Sequence, residues 1–301
     1  MSQPLAPPVR FSIPLAQGAL SALRWGEDRR PDLLFMHATG FNAETYDALL
    51  RPLSDRWTIV AIDQRGHGLS TVPAEPDSLV SWWPYAEDLV QVLDRWVPPG
   101  TPPVVVAGHS MGGIVSILAA SQRPQAVKGL VLLDPVLMPP MMRFALYTPW
   151  GLKKARGNRL AVGAAKRRPV FASKQEALAT YRTRAAFSTW QPGFLEGYVE
   201  GGFVPDGEGV RLACAPAWEA ATFGSHRHNA WGALKGLPMP VRLFMAGKGS
   251  TVTGGLAALK ARAPKVAATV IDGTTHFFPM ERPDIIRQAL ADRLEDKPLP
   301  A

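Results

Sequence analysis

The sequence predicts an α/β protein: a mostly parallel, doubly wound sheet with a largely helical cap inserted after the strand that ends at Asp134. Three observations lead there. From Asp32 onward, short apolar, β-rich runs alternate with segments of helical periodicity, the pattern of crossover units that build a parallel sheet. That alternation stops after Asp134 and resumes only near Val241, which marks an insertion. Between an apolar strand and a helical run stands Gly108-His109-Ser110-Met111-Gly112-Gly113, a context in which a sharp turn presents a serine at the sheet edge.

Taken in order, VRFSIPL and ALSALRW read as two antiparallel strands, followed by the strands DLLFMHA, WTIVAID, PVVVAGHS, GLVLLDP, VRLFMAG and AATVIDG. Apolar residues at helical spacing predict helices from Glu44 to Leu53, Tyr85 to Trp96, Gly113 to Ser121, Leu256 to Ala263 and Pro283 to Leu294. The insertion is too long for a structureless loop in a compact domain, so it is expected to be mainly helical. Within it, EGGFVPDGEGVRLACAP reads as a hairpin or extended loop. The expected organisation is a core of residues 1–136, a cap of residues 137–232 and a second core segment of residues 233–301.

A chain of 301 residues that is 47% hydrophobic can bury the core of one such domain plus a lid. Its single cysteine, Cys214, has no partner for a disulfide and is expected to pack. The segment MSQPLAPPVRFSIPL lacks the charged-then-apolar pattern of a leader, and no run reaches the roughly 18 apolar residues of a membrane span. A cytoplasmic location is the expectation. The formal charge of +8 is concentrated: between Gly151 and Arg184 lie Lys153, Lys154, Arg156, Arg159, Lys166, Arg167, Arg168, Lys174, Arg182 and Arg184, against Glu176 alone. Without zinc-finger spacing, an RNA-binding aromatic signature or a helix-turn-helix pattern, nucleic acid is not an expected partner. A solvated helix surface is the first reading of that cluster; attraction of an anionic substrate or docking on an anionic surface are the others.

The chemistry centres on Ser110. Gly108 and Gly112 leave room for a strained turn, and the following helix N-terminus brings backbone N–H groups and partial positive charge to any oxyanion formed there. The run Gly247-Lys248-Gly249-Ser250-Thr251 lacks the upstream glycine of a phosphate-binding loop and is not read as one.

Through GHSMGG, MHATGF, AIDQRGHGLS and GTTHFFPMERPD, the chain resembles the α/β-hydrolase family, in its single-domain branch with a cap, over nearly the whole core. The resemblance places the catalytic histidine at His276, and a general base from a late strand end at the same sheet edge is also what the chemistry requires. Of the other histidines, His37 and His67 are read as structural, His109 as pointing away from the site, and His226 and His228 as a poor metal pair. The family's commonest acid position, after VRLFMAG, holds no carboxylate here. The family also accepts an acid one strand earlier, which implies Asp134, with Asp272 as the fallback. For the oxyanion, the resemblance implies the N–H groups of Met111 and Thr39, with Gly40 as an alternative to Thr39; this chain has His37-Ala38 where the family usually has His-Gly. Gly40, Phe41, Trp82, Trp83, Met138 and Phe277 are the expected substrate-pocket residues. The expected activity is hydrolysis of a small or medium hydrophobic carboxylic ester, with neither metal nor organic cofactor. A carbon–carbon bond hydrolase, a lactonase, a perhydrolase and a non-catalytic binding protein are the alternatives. An elbow serine disfavours dehalogenase and epoxide hydrolase activities, which in this family use aspartate.

Overall fold

The computed structural model describes residues 5–299; residues 1–4 and 300–301, the ends of the two expected core segments, lie outside it. Strands β1 (Val9–Leu15) and β2 (Gly18–Trp25) form an antiparallel hairpin, with Val9 opposite Arg24 and Leu15 opposite Gly18. Next come β3 (Leu33–Met36), α1 (Asp47–Leu50), β4 (Ile59–Ile62), α2 (Trp83–Trp96), β5 (Val104–His109), α3 (Met111–Gln122) and β6 (Val127–Leu133). The insertion contributes α4 (Met142–Ala145), α5 (Pro149–Arg156), α6 (Arg159–Ala165), β7 (Val170–Phe171), α7 (Lys174–Arg182), α8 (Phe194–Gly202), β8 (Phe203–Asp206), β9 (Gly209–Leu212) and α9 (Pro216–Phe223). The core then closes with α10 (Ala230–Lys235), β10 (Val241–Ala246), α11 (Gly255–Arg262), β11 (Ala267–Ile271), α12 (Phe278–Glu281) and α13 (Pro283–Leu294).

Among the described residues, eight strands make one sheet in the order β1-β2-β4-β3-β5-β6-β10-β11. β2 meets β4 antiparallel, and every pairing from β4 to β11 is parallel. The central strands are buried on both faces, so they read as continuous apolar runs rather than alternating ones. Because successive side chains point to opposite faces, Leu34, Met36, Val104 and Val106 enter one core with Leu89 and Leu118. Leu33, Phe35, Val105 and Ala107 enter the other with Leu290 and Phe278. Each such fully buried aliphatic side chain contributes about 1.5–3 kcal/mol relative to exposure.

Two expectations change. The helix expected from Glu44 to Leu53 is α-helical only at Asp47–Leu50, between 3-10 turns at Glu44–Tyr46 and Arg51–Leu53. Pro52 explains the second of these breaks, since it has no N–H to donate and its ring crowds the preceding turn. The cap is largely helical as expected, and the anticipated hairpin forms as β8 and β9, with β7 added to make a small antiparallel sheet. α10 packs against α3 of the core, so the expected cap limit at residue 232 falls inside a core helix. No helix among the described residues is long and apolar enough to cross a membrane.

Candidate active site

Ser110, Asp134 and His276 follow β5, β6 and β11 in sequence, at the carboxyl ends of parallel strands where open α/β sheets assemble their sites. Ser110 sits at φ 58°, ψ −116°, immediately before α3. Among the described residues, positive φ outside glycine occurs at Ser110, Asp134 and Asp296, so two of the three strained positions are here. Such strain costs on the order of 1–3 kcal/mol and persists only where the surroundings enforce it. The elbow is that tight because its glycines admit backbone: a β-carbon on Gly108 would strike Gly112, and one on Gly112 would strike the carbonyl of Met36.

No acceptor meets the backbone N–H of Thr39 or of Met111 among the described residues, which leaves both donors unused. Gly40 differs. Its N–H donates to His67 Nε2 at 3.0 Å, while His67 Nδ1 donates to the Arg65 carbonyl at 2.9 Å, so Gly40 cannot serve in place of Thr39. Burial pushes the His67 pKa down to about 3, which keeps Nε2 an acceptor.

His276 Nδ1 lies 2.6 Å from Asp134 Oδ2. The same carboxylate accepts from Ser250 Oγ at 2.5 Å, the Thr251 N–H at 3.0 Å and the Ala246 N–H at 3.2 Å. Thr251 Oγ1 also donates to the Asp134 carbonyl at 2.6 Å. Burial raises the Asp134 pKa, but His276 and the Ser250 and Thr251 donors outweigh it and hold the group below its ordinary value. The loop after β10, where no carboxylate stands, thus supplies donors to one carried by β6. Asp272 is exposed and makes no hydrogen bond to His276. No hydrogen bond joins Ser110 Oγ to the His276 ring; the ring's described hydrogen bond is to Asp134.

His109, expected to point elsewhere, has its ring centroid 4.8 Å from that of His276, and it ties two loops together. The Ala38 N–H donates to Tyr46 Oη at 3.2 Å, Tyr46 Oη lies 2.8 Å from His109 Nδ1, and His109 Nε2 lies 2.9 Å from the His276 carbonyl. One tautomer satisfies all three, with the proton on Nε2, and burial pushes the His109 pKa to about 3. Above this network Phe41 stacks on Phe277 at 5.9 Å between centroids, and Trp190 and Tyr198 of the cap close over Phe41. Trp190 Nε1 is buried without a hydrogen-bond partner among the described residues. Beside them, Arg167 pairs with Glu219 at 2.6 Å and donates to Tyr198 Oη at 2.7 Å and Tyr181 Oη at 3.1 Å. Gly40, at φ 75°, lies directly beneath this pair; a β-carbon there would collide with the Glu219 carboxylate.

Of the expected pocket residues, Phe41 and Phe277 join this aromatic wall and Gly40 receives the cap. Trp82 is a packing residue instead: its ring packs against both His226 and His228, and Nε1 donates to the Thr222 carbonyl at 3.0 Å. Trp83 packs on the core beside it. Met138 lines a small cavity with Pro139, Leu146, His226, His228 and Trp231. His226 and His228 lie on a loop, not a helix, and no group of three metal-ligating side chains occurs among the described residues. His37, fully buried, accepts the Gln64 N–H through Nε2 at 2.9 Å and is structural. Sequence reasoning missed Ser250 and Thr251 as supports of Asp134, and the Arg167–Glu219 pair. Two hydroxyls standing where an acid is usual were the available signal for the first; the second joins residues 52 apart and left none.

Residues 33–289 match the alpha/beta hydrolase family. A 2-(acetamidomethylene)succinate hydrolase of Mesorhizobium japonicum is 26% identical over 267 residues, 88% of each chain. An esterase of Mycobacterium tuberculosis is 39% identical over 117 residues, 39% of this chain and 37% of its own. In three dimensions, the crystal structure of an E-2-(acetamidomethylene)succinate hydrolase superposes with a TM-score of 0.77 at 23% identity, covering 96% of this chain and 99% of that one. A solved structure of an M. tuberculosis esterase gives 0.72 at 24% identity, over 98% and 93%. The two solved structures share the fold: a mostly parallel sheet with an inserted cap. With the family matched over most of its length, the chain belongs to the alpha/beta hydrolase family.

Proposed function

We propose that this hydrolase cleaves carboxylic esters of small or medium hydrophobic substrates through an acyl-enzyme on Ser110. The observation that carries the reading is the 2.6 Å Asp134–His276 contact, together with a strained serine at the elbow and two N–H donors without acceptors among the described residues. His276 Nε2 takes the Ser110 proton as Oγ attacks the ester carbon. The tetrahedral oxyanion accepts from Thr39 and Met111; each such donor, aimed in advance, is worth about 2.7–4 kcal/mol. The protonated ring, its charge balanced by Asp134, then gives its proton to the departing alkoxide. Water, deprotonated by the same ring, attacks the acyl carbon, and collapse releases the acid and restores Ser110. Phe41, Phe277, Trp190 and Tyr198 offer an apolar surface for the acyl or aryl portion.

The Mesorhizobium japonicum relative favours a second reading, a substrate carrying carboxylates, for which Arg167 is the nearest cation over Gly40. Glu219 already neutralises that guanidinium, which supports the neutral ester as first choice. The test is hydrolysis of p-nitrophenyl esters from acetate to long acyl chains, beside an ester bearing a free carboxylate, with Ser110→Ala and His276→Ala as controls. Turnover of the neutral series, absent in both variants, is the expected result. Turnover of the acidic ester alone moves the assignment to the second reading, and inactivity on all of them removes both.

A further inference from the structure

The cap bears a surface that the ester reading does not use. From Pro135 to Lys174 the chain holds nine of its 33 Lys and Arg and none of its 25 Asp and Glu, so the remainder is nearly neutral. Large apolar side chains are exposed in the same stretch. Met141, Met142, Phe144, Tyr147, Trp150, Leu160 and Val162, on and between α4, α5 and α6, account for most of the exposed large hydrophobics described, with Trp150 68% and Tyr147 61% accessible. The cations are interleaved with them. Lys153, Lys154, Arg156 and Arg159 are all exposed; Lys154 reaches over the Trp150 ring at 5.1 Å, and no carboxylate among the described residues pairs with any of the four. α5 and α6 both pack on α9, which turns their other faces outward on one side of the cap.

We propose that this surface docks on an anionic lipid bilayer. Exposed indole and phenol rings among lysines and arginines without carboxylate partners suit the headgroup region, where rings sit at the polar boundary and cations meet phosphate. A second copy of this chain is a poor occupant, since a twofold contact would bring two sets of cations without carboxylate partners together. The contact holds the cap against a phase in which hydrophobic esters concentrate. Docking is read without turnover, so it stands or falls separately from the ester assignment.

The experiment is co-sedimentation of the full chain with vesicles of phosphatidylcholine alone and with 30 mol% phosphatidylglycerol, at low and high salt. It compares wild type with Lys153→Gln/Lys154→Gln/Arg159→Gln and with Trp150→Ser. The expected result is binding to anionic vesicles only, weakened by salt, about a hundredfold weaker in the triple variant, at roughly fivefold per cation, and weaker in Trp150→Ser. Unchanged thermal unfolding in both variants shows that the fold is intact. Failure of wild type to bind anionic vesicles at low salt, equal binding to neutral ones, or wild-type binding by the triple variant overturns the proposal. Failure to bind vesicles while retaining acidic polypeptides at low salt assigns the face to protein.

Discussion

Asp134 Oδ2 stands 2.6 Å from His276 Nδ1, although the two residues are 142 apart in sequence and the acid leaves β6 rather than β10. Asp134→Asn keeps the shape but offers Nδ1 a donor or the wrong tautomer partner. It should lower kcat by about 10⁴-fold with little change in KM. Steady-state kinetics on the best p-nitrophenyl ester reads this directly; a loss of less than tenfold means another group orients the ring.

Ser250 and Thr251 hold that carboxylate from the loop after β10. Removing one donor from a charged, buried acceptor costs about 1.5–3 kcal/mol. Ser250→Ala should therefore raise the Asp134 pKa and lower kcat by roughly tenfold or more. The Ser250→Thr variant, which keeps a hydroxyl, should recover most of it. Equal losses in both would mean that packing, not the hydrogen bond, is at stake.

Arg167 and Glu219 are a mostly buried ion pair joining the segment after α6 to α9 over Gly40. Arg167→Met strands a carboxylate and is expected to destabilise the fold by about 3–5 kcal/mol. Arg167→Met/Glu219→Leu should regain most of that stability. Urea denaturation of the two variants checks it, and a double variant no better than the single one contradicts the pairing as the cause.

Four buried histidines and the half-buried His226 set the acid limit. Burial lowers the pKa of His37 and His226 to about 4 and of His67, His109 and His228 to about 3, the last three also through neighbouring histidines or arginine, against an unfolded value near 6.5. Between those values the unfolded chain binds more protons, so stability rises with pH across this window and is lost as pH falls from about 6.5 toward 4. Each histidine contributes about 1.4 kcal/mol per pH unit there. Unfolding free energy measured from pH 7 to 4.5 should fall with a slope approaching four or five protons near pH 5. A slope below one proton would show that these rings are solvated.

Most of the core was legible because its signals are local. β5, with VVVAGH buried throughout, and the helix that begins at Met111 bracket the elbow within a dozen residues, and α13 matches its expected bounds from Pro283 to Leu294. What stayed hidden depends on distant partners. The two-residue β7 is too short to show alternation and exists only because β9 is there to pair with it. Trp82 carries the same aromatic signal whether it lines a pocket or, as here, packs in a cluster with His226 and His228. The loop carrying Ser250 and Thr251 reads as ordinary polar turn until β6 brings Asp134 beside it.

The account turns on Ser110 as the nucleophile. Labelling with an alkyl fluorophosphonate, followed by peptide mass spectrometry, tests it most directly. The expected result is one adduct, on the peptide containing Ser110, formed rapidly in wild type, slowly in His276→Ala and not at all in Ser110→Ala. An unlabelled wild type, or an adduct on another residue that persists in Ser110→Ala, would contradict it.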